Sequence, residues 1–221
     1  MHPAVDIAQR ADAHLGEGPT WDAAIQQLLW VDILRAEVHR LDPADGSDFV
    51  LHTPQHVGAA KPRAGGGLVV NLRDGVGLYD PDGSLTWLTR WPSEGCRGND
   101  AAVDAGGRLW AGTMRYDEAT GGGRLRRVDG AGETVEILRD VTVSNGIGWS
   151  PDGRLMYYVD SPTRRVDVFE VDVDTGLVSG RRPAVELAGE TAGWPDGLTV
   201  DAAGCVWVAL WDGGAVHRYS P

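Results

Sequence analysis

The feature that most constrains this chain is a strand-and-turn unit written five times. Its second strand reads LLWVDI at 28–33, GLVVNL at 67–72, RLWAGT at 108–113, LMYYVD at 155–160 and CVWVAL at 205–210. With Trp30, Val69, Trp110, Tyr157 and Trp207 as markers, the intervals are 39, 41, 47 and 50 residues. A period of about 40–50 residues made of short strands is the spacing of propeller blades, each of which buries its apolar faces against its neighbours. Turns at PDG 81–83, AGG 105–107, PDG 151–153 and AAG 202–204 punctuate the pattern, placing glycine where the chain needs positive φ. Following runs such as EVHRLD at 37–42, GVGLYD at 75–80 and VDVFEVD at 166–172 alternate as strands do, and long helical periodicity is absent.

The sequence therefore predicts an all-β fold, a β-propeller forming a single domain over residues 1–221. Blades beginning near Glu17, His56, Arg97 and Asn145 carry four strands each, and the one beginning near Trp194 carries three. Residues 4–10 offer one further strand, giving strands for about five blades. An N-terminal strand completing the last blade would close a five-blade ring without an open edge; a six-blade ring with an incomplete C-terminal blade is the competing arrangement.

Four polar residues keep one phase against this repeat. Glu17 precedes Trp30 by 13, Asn99 precedes Trp110 by 11, Asn145 precedes Tyr157 by 12 and Asp196 precedes Trp207 by 11. In a repeat, equal phase means equivalent position, so a ring would bring four oxygen-bearing side chains to one axis, as an all-oxygen metal site requires. Turn chemistry explains Asn-Gly at 145–146 and Asp-Gly at 196–197 individually, but Glu is not a turn former, and Glu17 stands between two glycines before a strand.

Charge narrows the partners. Twenty basic against 32 acidic residues give a net charge of −12, which excludes nucleic acid and an anionic membrane surface as natural partners. The basic pairs Arg126-Arg127 and Arg181-Arg182 read as solvated faces. No run reaches the ~20 apolar residues of a membrane span, and the N-terminus lacks a secretory pattern. Cys96 and Cys205 lack the paired spacing of a zinc site and are too few for a disulfide scaffold. These readings describe a cytoplasmic protein, monomer or homodimer.

The stretches LGEGPTWD at 15–22, RGNDAAVDAGGRLWAGTM at 97–114, VSNGIGWSPDGRLMYYVDSPTRRV at 143–166 and WPDGLTVDAAGCVWVALWDGG at 194–214 resemble the gluconolactonase and regucalcin group of six-bladed propellers, which includes luciferin-regenerating enzymes. The resemblance implies that Glu17, Asn145 and Asp196 hold one divalent cation, with Ca²⁺ foremost and Zn²⁺, Mg²⁺ or Mn²⁺ as alternatives. It implies that Arg97 and Asn99 contact substrate oxygens and that Asp196 is the general base. The implied reaction is hydrolysis of a sugar lactone to the aldonic acid. A metal-dependent esterase or phosphotriesterase and a non-catalytic calcium-binding propeller are the competing functions. Ala101 and Ala102 depart from the family pattern and bear on pocket shape, Asp100 receives no role, and family members continue for most of another blade beyond Pro221. No GxSxG, HExxH, P-loop or dinucleotide-binding motif is present. Residues 115–123 read either as a flap over the channel mouth or as an ordinary connecting loop.

Overall fold

An aspartate at the head of the turn shows why the repeat bends where it does. Asp104 Oδ1 accepts from the backbone N–H groups of Gly106 (2.9 Å) and Arg108 (3.0 Å), while its Oδ2 accepts from Trp110 Nε1 at 3.0 Å. Asp201 repeats the device: Oδ1 takes the N–H groups of Ala203 and Cys205 at 2.9 and 3.0 Å, and Oδ2 takes Trp207 Nε1 at 2.9 Å. Gly107 and Gly204 occupy positive φ at the equivalent turn position, with φ of 76° and 80°. The spacing Asp-x-x-Gly-x-x-Trp thus ties a turn to the strand that follows it, a side-chain substitute for a backbone turn bond.

The computed structural model describes residues 6–187, 189 and 192–221. It contains five consecutive antiparallel sheets of a β-propeller, each a blade whose strands run outward in chain order. Blade one holds β1 (Gly16–Asp22), β2 (Gln27–Asp32), β3 (Glu37–Leu41) and β4 (Asp48–His52). Blade two holds β5 (Val57–Pro62), β6 (Leu68–Leu72), β7 (Gly75–Tyr79) and β8 (Leu85–Arg90). Blade three holds β9 (Cys96–Val103), β10 (Leu109–Arg115), β11 (Gly123–Val128) and β12 (Thr134–Val141). Blade four holds β13 (Ser144–Trp149), β14 (Leu155–Asp160), β15 (Arg165–Val171) and β16 (Val178–Glu186). Blade five has three strands, β17 (Trp194–Val200), β18 (Val206–Trp211) and β19 (Ala215–Tyr219). The five second strands named from the sequence are all present, and blades one to four carry the four strands expected of each.

The expected N-terminal strand is not. Residues 4 and 5 lie outside the described residues, and residues 6–10 form no strand. Gln9 instead donates to Asp48 Oδ2 at 3.1 Å, which places this segment beside blade one. Side chains capture the following residues too, because Asp32 accepts the N–H groups of His14 and Leu15.

The blades are held together by apolar clusters, one at each of the four successive interfaces. Leu29, Val31 and Val38 pack with Val57, Val70 and Leu72 between blades one and two. Ala59, Val69 and Val76 pack with Ala101, Leu109 and Val128 between blades two and three. Trp110, Leu125 and Val141 pack with Met156, Tyr158 and Phe169 between blades three and four. Tyr157, Val159 and Val168 pack with Val206, Val208 and Leu210 between blades four and five. These apolar residues cover both faces of the three middle sheets and one face of the first and last, so neighbouring inner strands β1, β5, β9, β13 and β17 are fixed side by side. Among the described residues no helix is long and apolar enough to cross a membrane.

Candidate active site

Every inner strand is interrupted at the same place. Register shifts occur in β1 between Glu17 and Thr20, in β5 between Val57 and Ala59, in β13 between Ser144 and Ile147, and in β17 between Pro195 and Leu198. In β9 the shift falls between Gly98 and Ala101, opposite Gly112. Each is a β-bulge, which re-aims a side chain that regular pairing would hold in the sheet. Asn99, Asn145 and Asp196 lie within their bulges, and Glu17 is the last paired residue before its own. The equal phase seen in the sequence is therefore the phase of the bulge.

Blade two shows the converse. Its residue at the same phase is Gly58, 11 before Val69. A Cβ there would overlap the backbone of Asn99 and Gly98, so close packing of β5 on β9 leaves this blade without a side chain at the site.

The four bulged or bulge-adjacent residues open onto one cavity of about 320 Å³. Glu17, Arg97, Asn99, Asn145 and Asp196 all line it, together with Glu118, Ser161, Trp194 and Trp211. The structure thus brings together every residue singled out from the sequence.

The polar groups form one chain. Buried Arg97 donates through Nη1 to Asn99 Oδ1 at 2.6 Å and to Gly98 O at 3.0 Å. Asn99 Nδ2 donates to Asn145 Oδ1 at 2.8 Å and to Ser144 O at 2.9 Å. Asn145 Nδ2 donates to Ser161 Oγ at 2.8 Å. The backbone beneath is pinned as well: Asn71 Nδ2 donates to Asn99 O and Gly112 O, and Tyr158 OH to Ser144 Oγ. Asn99 is thereby a spacer between Arg97 and Asn145, a role its phase alone did not separate from direct ligation.

Charge at this site is unbalanced toward the negative. Burial, then the charges of Asp196 and Asp100, push the Glu17 carboxyl up to about 8, against partial relief from the Gly18 N–H and from Arg97. Burial, then Asp100, push Asp196 up to about 6. Asp100 is itself raised by burial, opposed by Lys61 and the Ala101 N–H. Lys61 is lowered by burial, opposed by Asp100, and donates to Thr20 Oγ1 at 2.7 Å. Three carboxylates and one lysine therefore share the channel, with Arg97 on the flank.

The donors fit a hard divalent cation. Two carboxylates and an amide oxygen converge, their charges are not offset by the basic groups around them, and oxygen-only ligation suits Ca²⁺, Mg²⁺ or Mn²⁺. Asn145 Oδ1 retains a second lone pair beyond the one that Asn99 uses. Among the described residues no group of three or more His, Cys, Asp or Glu is gathered to hold a metal alone, so solvent or ligand oxygens would complete the shell.

Several residues that line the cavity lie outside the phase that the sequence singled out. Glu118, in the loop at 115–123, lines the cavity from a left-handed backbone position with φ of 54°. That loop is fastened at its N-terminal flank: Tyr116 N–H donates to Gly95 O at 2.8 Å, the Tyr116 hydroxyl meets His56 Nδ1 at 2.7 Å, and Arg115 pairs with Asp117. His56, at the start of blade two, so holds the loop that carries Glu118. Trp194 and Trp211 lie opposite each other in β17 and β18 and form an aromatic side of the cavity, with the Arg164 guanidinium 4.6 Å over Trp194.

A propeller whose inner-strand bulges gather carboxylate and amide oxygens above a channel defines a class, and comparison with known proteins places the chain within it. The profile of the SMP-30/gluconolactonase/LRE-like region matches residues 15–221, and the chain belongs to this family. It is 40% identical over 224 residues to 6-deoxy-6-sulfogluconolactonase of Pseudomonas putida, covering all of this chain and 77% of that protein. It is 39% identical to a pentonolactonase of Haloferax volcanii, covering 93% of this chain and 69% of the relative. Among solved structures, a luciferin-regenerating enzyme superposes with a TM-score of 0.89 at 30% identity over 94% of this chain and 73% of its own. A calcium-binding regucalcin of Agrobacterium tumefaciens gives 0.89 at 33% identity over 97% and 73%. The fold is the gluconolactonase-type propeller, with five blades in this chain.

Proposed function

We propose that this protein is a divalent-metal-dependent hydrolase that opens sugar lactones, aldono-1,4- or 1,5-lactones, to aldonic acids. The observation that carries the reading is the convergence of Glu17, Asn145 and Asp196 with Arg97 and Asn99 in a single cavity, delivered by bulges of four blades. Sugar lactonase activity in the names of two relatives that cover most of this chain supports the substrate class.

Glu17, Asn145 and Asp196 are the residues that would hold the cation. Bound there, a divalent cation supplies Lewis-acid polarisation of an ester carbonyl and stabilises the charge that develops on its oxygen. Arg97 binds the lactone's oxygens: only its Nη1 is engaged by the protein, so among the described residues its other guanidinium N–H groups make no protein hydrogen bond. Asn99 holds Arg97 and Asn145 at a fixed separation, which orients substrate relative to the cation donors. Asp196 takes the proton from the attacking water with one carboxylate oxygen. It returns that proton to the ring oxygen as the C–O bond breaks. Trp194 and Trp211 offer flat apolar surface to the carbon face of the sugar ring and keep bulk water from that side.

We read the protein as one domain in the cytoplasm; the buried free thiols Cys96 and Cys205 are consistent with a reducing compartment. The regucalcin relative, named for calcium binding, motivates the alternative of a binding protein without turnover. A panel of aldonolactones, aryl esters and phosphotriesters, assayed with one cation at a time, tests the proposal. Turnover confined to lactones supports it. Faster turnover of a phosphotriester, or cation binding with no turnover of any member, refutes it.

A further inference from the structure

A second pocket lies on the other side of the strands that carry Arg97. Consecutive residues of a strand point to opposite faces. Arg97 and Met114 line the main cavity, while their neighbours Cys96 and Thr113 line a separate pocket of about 90 Å³ between blades two and three. The two compartments share no lining residue. Arg73, Arg124, Arg126, Trp91 and Ser93 complete the smaller one, with the backbone of Gly122.

Its charge is opposite to that of the main cavity. Glu136 is within 4 Å of three guanidiniums: Arg124 (3.5 Å), Arg126 (3.8 Å) and Arg139 (2.5 Å). Asp74 serves two more, Arg73 at 2.9 Å and Arg90 at 3.6 Å. Three of these arginines, Arg73, Arg124 and Arg126, line the pocket and pair with the two carboxylates, which leaves one positive charge in excess there in a protein whose net charge is −12, while Arg90 and Arg139 lie outside the lining. The remaining nearby acids, Asp117 and Glu94, face Arg115 outside the pocket lining. Arg126 is not a solvated surface residue as its sequence context suggested; it is packed over the Trp91 ring at 4.9 Å, and burial lowers its pKa. Trp91 Nε1 is cut off from solvent and has no hydrogen-bond partner.

Three guanidiniums around one small pocket, with two carboxylates between them, call for an acceptor that carries negative charge. A water molecule needs about 10–15 Å³ of such space, so the pocket holds several oxygen atoms but not a sugar ring with its substituents. We propose that this pocket binds a small tetrahedral oxyanion of the phosphate or sulfate class, held by Arg124 and Arg126, with the Ser93 hydroxyl, which donates to Cys96 Sγ at 3.4 Å, turning to it as a further donor. The ligand is free oxyanion or the phosphoryl or sulfo group of a larger molecule whose remainder stays outside.

Calorimetric titration of the full chain with inorganic phosphate, at ionic strength held constant with chloride, tests this. Saturable binding should weaken about tenfold in Arg124→Gln, the scale of one charge-assisted hydrogen bond, and should tighten in Glu136→Gln, which removes the competing carboxylate. Asp196→Asn should leave it unchanged, because a phosphate bound at the cation site would depend on that residue. Parallel titrations with sulfate and glucose 6-phosphate separate the sources: equal affinity for the ester and inorganic phosphate identifies the phosphoryl group as the recognised unit, and weaker binding of the ester identifies free oxyanion. Two results overturn the proposal: no saturable binding at millimolar phosphate, or binding that is lost in Asp196→Asn and kept in Arg124→Gln. Thermal unfolding of each variant checks that the fold is retained, and an Arg126→Met variant supplies a second probe of the same pocket.

Discussion

The two compartments on either side of β9 and β10 differ in sign and are built from the same two strands. Arg97 and Met114 look onto carboxylates that lack sufficient cationic partners, while Cys96 and Thr113 look onto guanidiniums that lack sufficient anionic ones. The overall charge of −12 predicts neither compartment. What decides the ligand is local balance: burial raises Glu17 and Asp196 because water is no longer available to solvate them, and it lowers Arg126 for the same reason. A cation relieves the first site, an oxyanion the second.

The strongest way to break this comparison is to remove the residue given two roles on the acidic side. Asp196→Asn takes away a proposed cation ligand and the proposed general base together. We expect turnover of a sugar lactone to fall by about 10³-fold or more, within the range of a lost general base compounded by weaker metal binding. Steady-state kinetics at saturating cation would check it. Glu17→Gln keeps the shape of the side chain and removes one charge, so cation affinity measured by calorimetry should drop at least about tenfold, with little change in phosphate binding.

Lys61 tests the balance from the other direction. Lys61→Met removes the positive charge that offsets Asp100, and the acidic compartment becomes more negative by one. Cation affinity should rise, by about tenfold at the effective dielectric of a partly buried site, and Asp100→Asn in the same chain should return it toward the original value. Unchanged affinity in Lys61→Met would show that the lysine serves only its hydrogen bond to Thr20.

The smallest expected effect is on stability. In cation-free protein Glu17 is raised from 4.5 to about 8 and Asp196 from 3.8 to about 6. Carboxyls that hold protons more tightly in the folded state stabilise it fully below their unfolded values. That contribution disappears as pH rises through the folded ones. The melting temperature of chelated protein should therefore decline between about pH 5 and pH 8, and saturating cation should flatten the decline. A melting temperature that rises over this interval in chelated protein would contradict the charge excess.

How much of this could be read from the chain depends on how local each device is. The blades were legible because Asp104 and Trp110, or Asp201 and Trp207, write turn and strand into seven residues. The acidic site was legible because a bulge falls at one phase of every inner strand, and Asn-Gly, Asp-Gly and Glu-Gly mark it. Glu118 and Trp211 were not, since they reach the cavity from outside that phase. Arg126 was misread as a surface residue because sequence does not show that Trp91 lies under it, whereas Arg181 stays exposed as expected while pairing with the nearly inaccessible Asp167. The arginine pocket combines a β6–β7 turn, an inter-blade linker and β11, which no single spacing relates. The N-terminal strand failed for a simpler reason: Asp48 and Asp32 capture residues 9, 14 and 15 on blade one.

The role proposed for the acidic cavity is the cation-dependent opening of sugar lactones. Its most direct test is the hydrolysis of glucono- and xylonolactone by chelated protein, with and without added Ca²⁺, Mg²⁺, Mn²⁺ or Zn²⁺, corrected for spontaneous ring opening. Chelation should abolish turnover, at least one of these cations should restore it, and none should restore it to the original level in Glu17→Gln. Undiminished turnover after chelation, or full turnover in Glu17→Gln, would contradict that role.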